Sequence, residues 1–291
     1  MGTIANLFGY VLNFLYNYVQ NYGLAIILFS ILLRIILLPL TIKQQTSLKK
    51  SNKVQEEIKK LQIKYKNNPE MLNKEVMNVY KTEKVSPFSG CLTGIIQFFI
   101  FISVFYLVSR PLTYMKKVDT NLIKDYQQQI VDSGESSNYM EIKVIEVKSQ
   151  EDERVSLNMN FLSLDLSKVP LQNWKDPKVF IIPALYIVTT FASIKLSTNM
   201  MKKKKNESKD VIEVEDKDKD NKKEETPEEQ LESMEQVTKS MNYMMPIMSV
   251  AIALIAPLGL SLYWFISNTL QLCERLVINF FMKKKNQKEA K

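Results

Sequence analysis

Residues 24–40 read LAIILFSILLRIILLPL, from Leu24 to Leu40. A mainly apolar stretch of about 17–25 residues is long enough to cross a bilayer as a helix. Among its leucines and isoleucines stands one arginine, Arg34. An ionisable group at that depth is costly, so it marks a functional position with a partner or a watery cavity. Snorkelling to the interface is the competing explanation. Thr41 and Lys43 mark the cytoplasmic edge, and Lys43 is nine residues on, or roughly 13 Å at about 1.5 Å per residue. An arginine stem bridges only part of that distance.

Working outward, further apolar runs occupy 92–109, 179–197, 243–259 and 260–282, with strongly charged segments between them. A content of 46% hydrophobic and 24% charged residues is ordinary, so the segregation decides the class: an all-α, polytopic membrane protein. The net charge of +8 is distributed in the same way. Residues 43–84 hold eleven Lys and five Glu, and the tail after Met282 holds five Lys and one Glu. Residues 111–177 hold eight Lys/Arg against eleven Asp/Glu. Basic residues therefore flank alternate crossings, the positive-inside pattern, which sets an outside N-terminus and a cytoplasmic C-terminus. The chain has no histidine, which removes His-based acid–base chemistry and most zinc sites. Its two cysteines, Cys91 and Cys273, fall in or beside spans and suggest no disulfide framework.

The expected organisation follows. Residues 1–22 form an outer amphipathic surface helix, with Ile4, Phe8, Leu12, Leu15 and Val19 on one face and Asn6, Asn13, Asn17 and Gln20 on another, ending near Gly23. A secretory leader would need a basic start, and no Lys or Arg precedes Arg34. The first span is 23–42, and Pro39 bends it or ends its regular part. Residues 43–90 form a cytoplasmic basic helical hairpin turning at Lys66-Asn67-Asn68-Pro69. Leu48, Ile58, Leu61 and Tyr65 there face Leu72, Val76, Val79 and Tyr80. Such a hairpin suits anionic headgroups, ribosomal RNA or acidic proteins, or serves only to fix topology.

Ser86 to Cys91 reads as a loop, and the second span is 91–110. An extracytoplasmic segment, 111–178, contains a helix over Leu122–Val131, a strand over Met140–Val147 and an interfacial anchor, Trp174. It fits a small ordered cap and a flexible loop equally. The third span is 179–198. Residues 199–241 form a disordered Lys/Glu/Asp-rich cytoplasmic loop. The fourth span is 242–259, turning at Ala256-Pro257-Leu258-Gly259; the fifth is 260–282, and 283–291 is a basic cytoplasmic tail.

In the fifth span Trp264, Ser267, Asn268, Gln271 and Arg275 recur at i, i+3, i+4, i+7 and i+11, one helical face. Thr93 and Gln97 of the second span, and Thr189, Thr190, Ser193 and Ser197 of the third, lie in the cytoplasmic half, as Arg34 does. The outer halves are almost wholly apolar. Interhelical hydrogen bonding, worth roughly 0.6 kcal/mol per contact, explains scattered serines and threonines. It explains Arg34 poorly. Two readings are open for its charge: a pair with Glu274, the one acidic residue within a span, or hydration in a wet groove open to the cytoplasm. The groove is the expectation.

These features carry a resemblance. LAIILFSILLRIILLPLTIKQQTS, LQIKYKNNPEMLNKEVMNVYKTEKVSPFSGCL, FLSLDLSK and MNYMMPIMSVAIALIAPLGLSLYWFISN, in this order, are similar to the YidC family of membrane protein insertases. The likeness covers most of 22–110, 160–197 and 240–282. Arg34 falls on the family's groove arginine and Trp264 on the tryptophan of its last-span motif. Thr93 and Phe99 stand where the family usually has prolines, the segment 111–158 is longer than in compact members, and no lipoprotein-type start is visible.

The resemblance implies an insertase, not an enzyme, that takes hydrophobic segments of nascent membrane proteins from the cytoplasm into the bilayer. Ribosome and Sec translocon are implied partners, beside anionic lipids; no cofactor, metal, DNA or small-molecule substrate is expected. The client-binding groove would comprise Arg34, Gln97, Thr190, Ser193, Trp264, Ser267, Asn268 and Gln271. A small-solute transporter or channel is the alternative, but it calls for polar residues through the outer half and often an inverted repeat, and neither is found. An intramembrane enzyme would need a catalytic pair, and no span holds a His or an Asp.

Overall fold

The helix that contains Arg34 starts where a side chain caps it. The Asn21 Oδ1 accepts the Leu24 N–H at 3.0 Å, satisfying one of the orphan donors of a helix start. From there α2 runs Tyr22–Lys64, 43 residues, with Pro39 inside it, a length of about 65 Å at 1.5 Å per residue. Pro39 therefore does not end the helix, and the first apolar run and the first arm of the hairpin are one element.

The computed structural model describes residues 2–65, 68–83, 89–135, 137–207 and 248–289. The expected linker beyond Glu207, the start of the fourth span, Lys66-Asn67 and Ser86-Pro87-Phe88 lie outside the described residues. In order come α1 (Gly2–Val19), α2, α3 (Pro69–Thr82), α4 (Ser89–Ser109), a π-turn (Leu112–Lys116), α5 (Thr120–Asp132) and α6 (Met140–Lys148). Then follow β1 (Asn160–Phe161), β2 (Leu164–Asp165), a 3₁₀ turn (Pro177–Phe180), α7 (Ile181–Glu207), α8 (residues 248–255) and α9 (Leu258–Glu289). Among the described residues the fold is mostly helical, with one two-residue antiparallel ladder. Among the described residues, two helical stretches are long and apolar enough to cross a membrane, Tyr22–Ser47 and Pro177–Leu196, and Ile95–Ser109 is a shorter apolar one. Contacts divide the chain into two units, one of Met1–Pro39, Gly94–Phe191 and Met248–Lys291, the other of Leu40–Thr93 and Ala192–Ile247.

In the first unit, α2 buries Tyr22, Ala25, Ile26, Phe29 and Leu33, a stripe at i, i+3, i+4, i+7 and i+11. Val104, Leu107 and Val108 of α4, Ile182 and Tyr186 of α7, and Leu260 to Trp264 of α9 belong to the same core. Outside that core, Leu28, Ile31, Ile35 and Ile36 of α2, Leu185, Val188 and Phe191 of α7, and Leu276, Val277 and Phe280 of α9 are exposed. Apolar surface that extensive is what a lipid-facing helix presents.

Of the apolar face expected for a surface helix, α1 turns Phe8, Leu12, Leu15 and Val19 onto the protein core and leaves Ile4 exposed, and Ala5 and Gly9 are buried with them. A Cβ at Gly9 would come 1.8 Å from the Tyr114 carbonyl oxygen, so only glycine lets α1 lie on the π-turn. The far face is not merely asparagine: Leu7, Tyr10, Phe14 and Tyr18 are 62–85% exposed. α1 ends at Val19 rather than near Gly23, because Gln20 takes φ +52°.

The described residues of segment 111–178, called the cap below, form the π-turn, α5, α6 and the β1–β2 ladder. Asp119 caps α5 through the Asn121 and Leu122 N–H groups at 2.8 and 3.2 Å. Residues 140–148, expected as a strand, are helix α6. The alternation misled because Glu141 is not on a solvent face: it is buried beside Ile142, Val144 and Ile145. Its carboxylate accepts the Thr113 N–H at 2.9 Å and the Thr113 Oγ1–H at 2.6 Å. Burial pushes the Glu141 pKa up, against the pull of those hydrogen bonds and the Arg110 charge. Lys116 reaches the Glu153 and Ser156 carbonyls at 2.9 and 2.7 Å, and burial lowers its pKa.

The cap is also stitched to the α1–α2 corner and to α9. Asn158 N–H donates to Tyr16 Oη at 2.9 Å, and Asn21 Nδ2 donates to the Asn160 carbonyl at 2.7 Å. The N–H groups of Leu258 and Gly259, orphans at the start of α9, find the carbonyls of Lys168 and Leu166 at 2.9 and 3.0 Å. Trp174 is 67% exposed.

In the second unit, α3 starts at an Asn68 cap, its side chain accepting the Met71 N–H at 3.1 Å, with Pro69 at the first helical position. Val54, Ile58, Leu72 and Val76 form the buried seam, flanked by Leu61, Tyr65, Val79 and Tyr80. Val54 was not among the expected seam residues, and the Leu48 side chain lies outside the described residues. α4 begins at Ser89, so Gly90 and Cys91 are helical rather than loop.

Candidate functional site

Arg34 is brought to α9 by the register of α2. Its side chain follows Ser30 by one turn, and Ser30 is fully packed, returning its hydroxyl to the Ile26 carbonyl at 2.7 Å. The Arg34 Nη2 donates to both the carbonyl and the Oγ of Ser267 at 3.0 Å. Its Nη1 lies 3.8 Å from Glu274 Oε2, with side chains 14% and 9% exposed. Glu274, one of the two expected partners of the Arg34 charge, therefore lies near it, at a distance beyond a hydrogen bond. Both Glu274 oxygens are buried without a hydrogen-bond partner among the described residues. Arg275, next on α9, interacts electrostatically with Arg34 and Glu274.

Next to Ser267 on α9, Asn268 Nδ2 donates to Thr190 Oγ1 at 3.1 Å and to Thr189 Oγ1 at 3.3 Å. Thr190 is buried. α2, α7 and α9 therefore share a polar seam of Arg34, Ser267, Glu274, Asn268, Thr189 and Thr190 inside an otherwise apolar bundle. Such a seam keeps a charged guanidinium in place through hydrogen bonds that hydrocarbon could not supply.

The other expected residues stand differently. Trp264 is 5% exposed, its ring stacked on Phe101 with centroids 5.6 Å apart and tilted against Tyr186 at 6.1 Å. It is an aromatic wall behind the polar seam, and its Nε1 is buried without a hydrogen-bond partner among the described residues. Gln97 on α4 is exposed and makes no hydrogen bond to Arg34 or α9 among the described residues. Gln271 is half-buried on the α9 face. Ser193 is buried on α7 but falls in the second unit. Phe101 and Tyr186 were missed from the sequence, where an aromatic in a span carries no sign that it will meet a tryptophan. A cavity of about 340 Å³ lies away from this seam, in segment 111–178, lined by Glu135, Lys143, Glu146 and Lys168 among others.

The profile of the 60Kd inner membrane protein family matches residues 14–286, nearly the whole chain and all of the seam. The chain belongs to the 60Kd inner membrane protein family. Membership makes it a polytopic protein of the cell membrane, in keeping with the apolar surfaces of α2, α7 and α9. Several curated relatives carry the name membrane protein insertase YidC. The one from Caldanaerobacter subterraneus is 40% identical over 108 residues, 37% of this chain and 52% of the relative. That from Fusobacterium nucleatum is 44% identical over 109 residues, 36% of this chain and 53% of the relative. That from Treponema denticola is 27% identical over 275 residues, 94% of this chain and 37% of the relative. The chain thus matches about half or less of the length of these relatives.

Proposed function

We propose that this member of the 60Kd inner membrane protein family is a membrane protein insertase: it receives hydrophobic segments of nascent proteins from the cytoplasm and passes them into the bilayer. The observation that carries the reading is Arg34, a charged group on an apolar helix, held by two hydrogen bonds to Ser267 and facing a polar seam from two other helices. Membrane-embedded arginine marks a path for polar or charged groups. In this reading the chain crosses five times, with the N-terminus outside and the C-terminus in the cytoplasm, and the path lies in the cytoplasmic half.

The groove comprises Arg34, Gln97, Thr190, Trp264, Ser267, Asn268 and Gln271. Arg34 attracts acidic residues in a short tail of the client, and hydrogen-bonding side chains lower the desolvation cost of carrying polar groups part-way across. The client's apolar helix then leaves for lipid, favoured by roughly 25 cal/mol per Å² of apolar surface removed from water. No covalent step or nucleotide enters. The basic hairpin of α2 and α3 offers a surface to the ribosome or anionic headgroups, and the Sec translocon is a working partner.

The test is reconstitution. Proteoliposomes of the purified chain should protect the translocated tail of a single-span client from protease, and protein-free liposomes should not. Equal protection in both would overturn the reading. Deleting residues 53–80 should reduce delivery in a coupled translation assay while leaving the remaining helices folded; full activity of that deletion would remove the delivery role of the hairpin.

A further inference from the structure

The seam contains a group that the insertase reading does not use. Glu274 lies on the same α9 face as Ser267 and Gln271, seven and three residues after them. Its side chain is 9% exposed, its two oxygens have no hydrogen-bond partner among the described residues, and Arg34 Nη1 lies 3.8 Å from Oε2. A carboxylate so buried is normally held by several donors. Here the guanidinium that could supply them gives its Nη2 hydrogens to Ser267 instead. The pair is close enough for strong Coulomb attraction, yet nothing locks it by directional bonds, so either member can be given another partner at low geometric cost.

The charges set what that partner is. Arg34, Glu274 and Arg275 sum to one positive charge, where the two arginines alone would present two. An acidic residue of a client arriving at Arg34 has to compete with Glu274, and a basic residue arriving at the same place meets a carboxylate that lacks hydrogen bonds.

We propose that Glu274 is the resident counter-charge of Arg34 and determines the charge selectivity of the groove, moderating its preference for acidic client segments and admitting lysine- or arginine-bearing ones. The inference rests on the insertase reading and deepens it. Glu274 acts partly through Arg34, as a positioning residue, and partly as a direct acceptor for a basic client group.

The experiment uses the full chain in proteoliposomes and three single-span clients that differ only in a tail carrying two Asp, two Lys or two Ser. Glu274→Gln should raise the ratio of Asp-tailed to Lys-tailed insertion about fivefold, the factor corresponding to about 1 kcal/mol between charges some 4 Å apart in water-like surroundings. Insertion of the Ser-tailed client by the same variant is the reference to which both charged clients are normalised, and Glu274→Asp should restore the wild-type ratio. An unchanged ratio in Glu274→Gln, or equal loss for all three clients, overturns the proposal. Failure of the wild type to insert any client beyond protein-free liposomes overturns the insertase reading instead. The same tails on detergent-bound peptides, photocrosslinked from position 271, then decide the role of Glu274: a Glu274→Gln shift towards Asp-tailed crosslinks supports it, and no shift overturns it.

Discussion

Glu141 and Glu274 are two nearly buried carboxylates in one chain, and they are treated in opposite ways. Glu141 is clamped by the N–H and hydroxyl of a single residue, Thr113, at 2.9 and 2.6 Å. Glu274 makes no hydrogen bond among the described residues and faces Arg34 at 3.8 Å. The first arrangement satisfies a charge in order to fix α6 against the π-turn. The second leaves a charge unsatisfied beside a guanidinium in the membrane-facing bundle. The first holds a buried charge by hydrogen bonds; the second sets two opposite charges side by side without one between them.

The contrast can be broken most severely at Glu141. Glu141→Lys sets an ammonium against the Thr113 donors and should cost about 3–5 kcal/mol, as loss of one member of a buried polar pair does, read as a large drop in Tm in detergent. Thr113→Val removes the shorter hydrogen bond and should cost about 1 kcal/mol by the same measurement.

A smaller effect follows from protonation. The Glu141 pKa is raised on folding by burial, so the folded protein takes up its proton before the unfolded chain does. The cost of burying the charge is greatest near neutral pH and is relieved as the pH falls through the raised pKa. Wild type should therefore gain Tm relative to Glu141→Gln as the pH falls from about 7 towards 5. A difference that is flat with pH would mean that the carboxyl is not carrying its charge into the cap. The smallest effect belongs to Glu274→Gln, which loses no hydrogen bond and should change stability by less than about 1 kcal/mol while changing selectivity.

Much of this was legible in the sequence because membranes make polarity conspicuous. Arg34 among leucines, and the recurrence of Ser267, Asn268 and Gln271 at helical spacing, announced a shared polar face before any coordinates. The cap was less legible. Alternation over Met140–Val147 looked like a strand because the burial of Glu141 depends on Thr113, 28 residues away in sequence. Ala5 and Gly9 carry little hydrophobic signal, so the closest contact of α1 was invisible to a pattern of large apolar residues. The β1–β2 turn places Leu162 and Ser163 at φ +49° and +64°, where Asn-Gly is the usual sign. Trp264 was found by its motif, but its burial against Phe101 and Tyr186 needed the packing of three helices.

In the proposed insertase, a positive charge at position 34, rather than the shape of an arginine, draws clients into the bilayer. Proteoliposome insertion of an acidic-tailed single-span client by wild type, Arg34→Lys and Arg34→Ala tests it directly. The account predicts that Arg34→Lys retains insertion and that Arg34→Ala loses about tenfold or more, the factor that about 1.4 kcal/mol represents. Equal insertion by all three would contradict it.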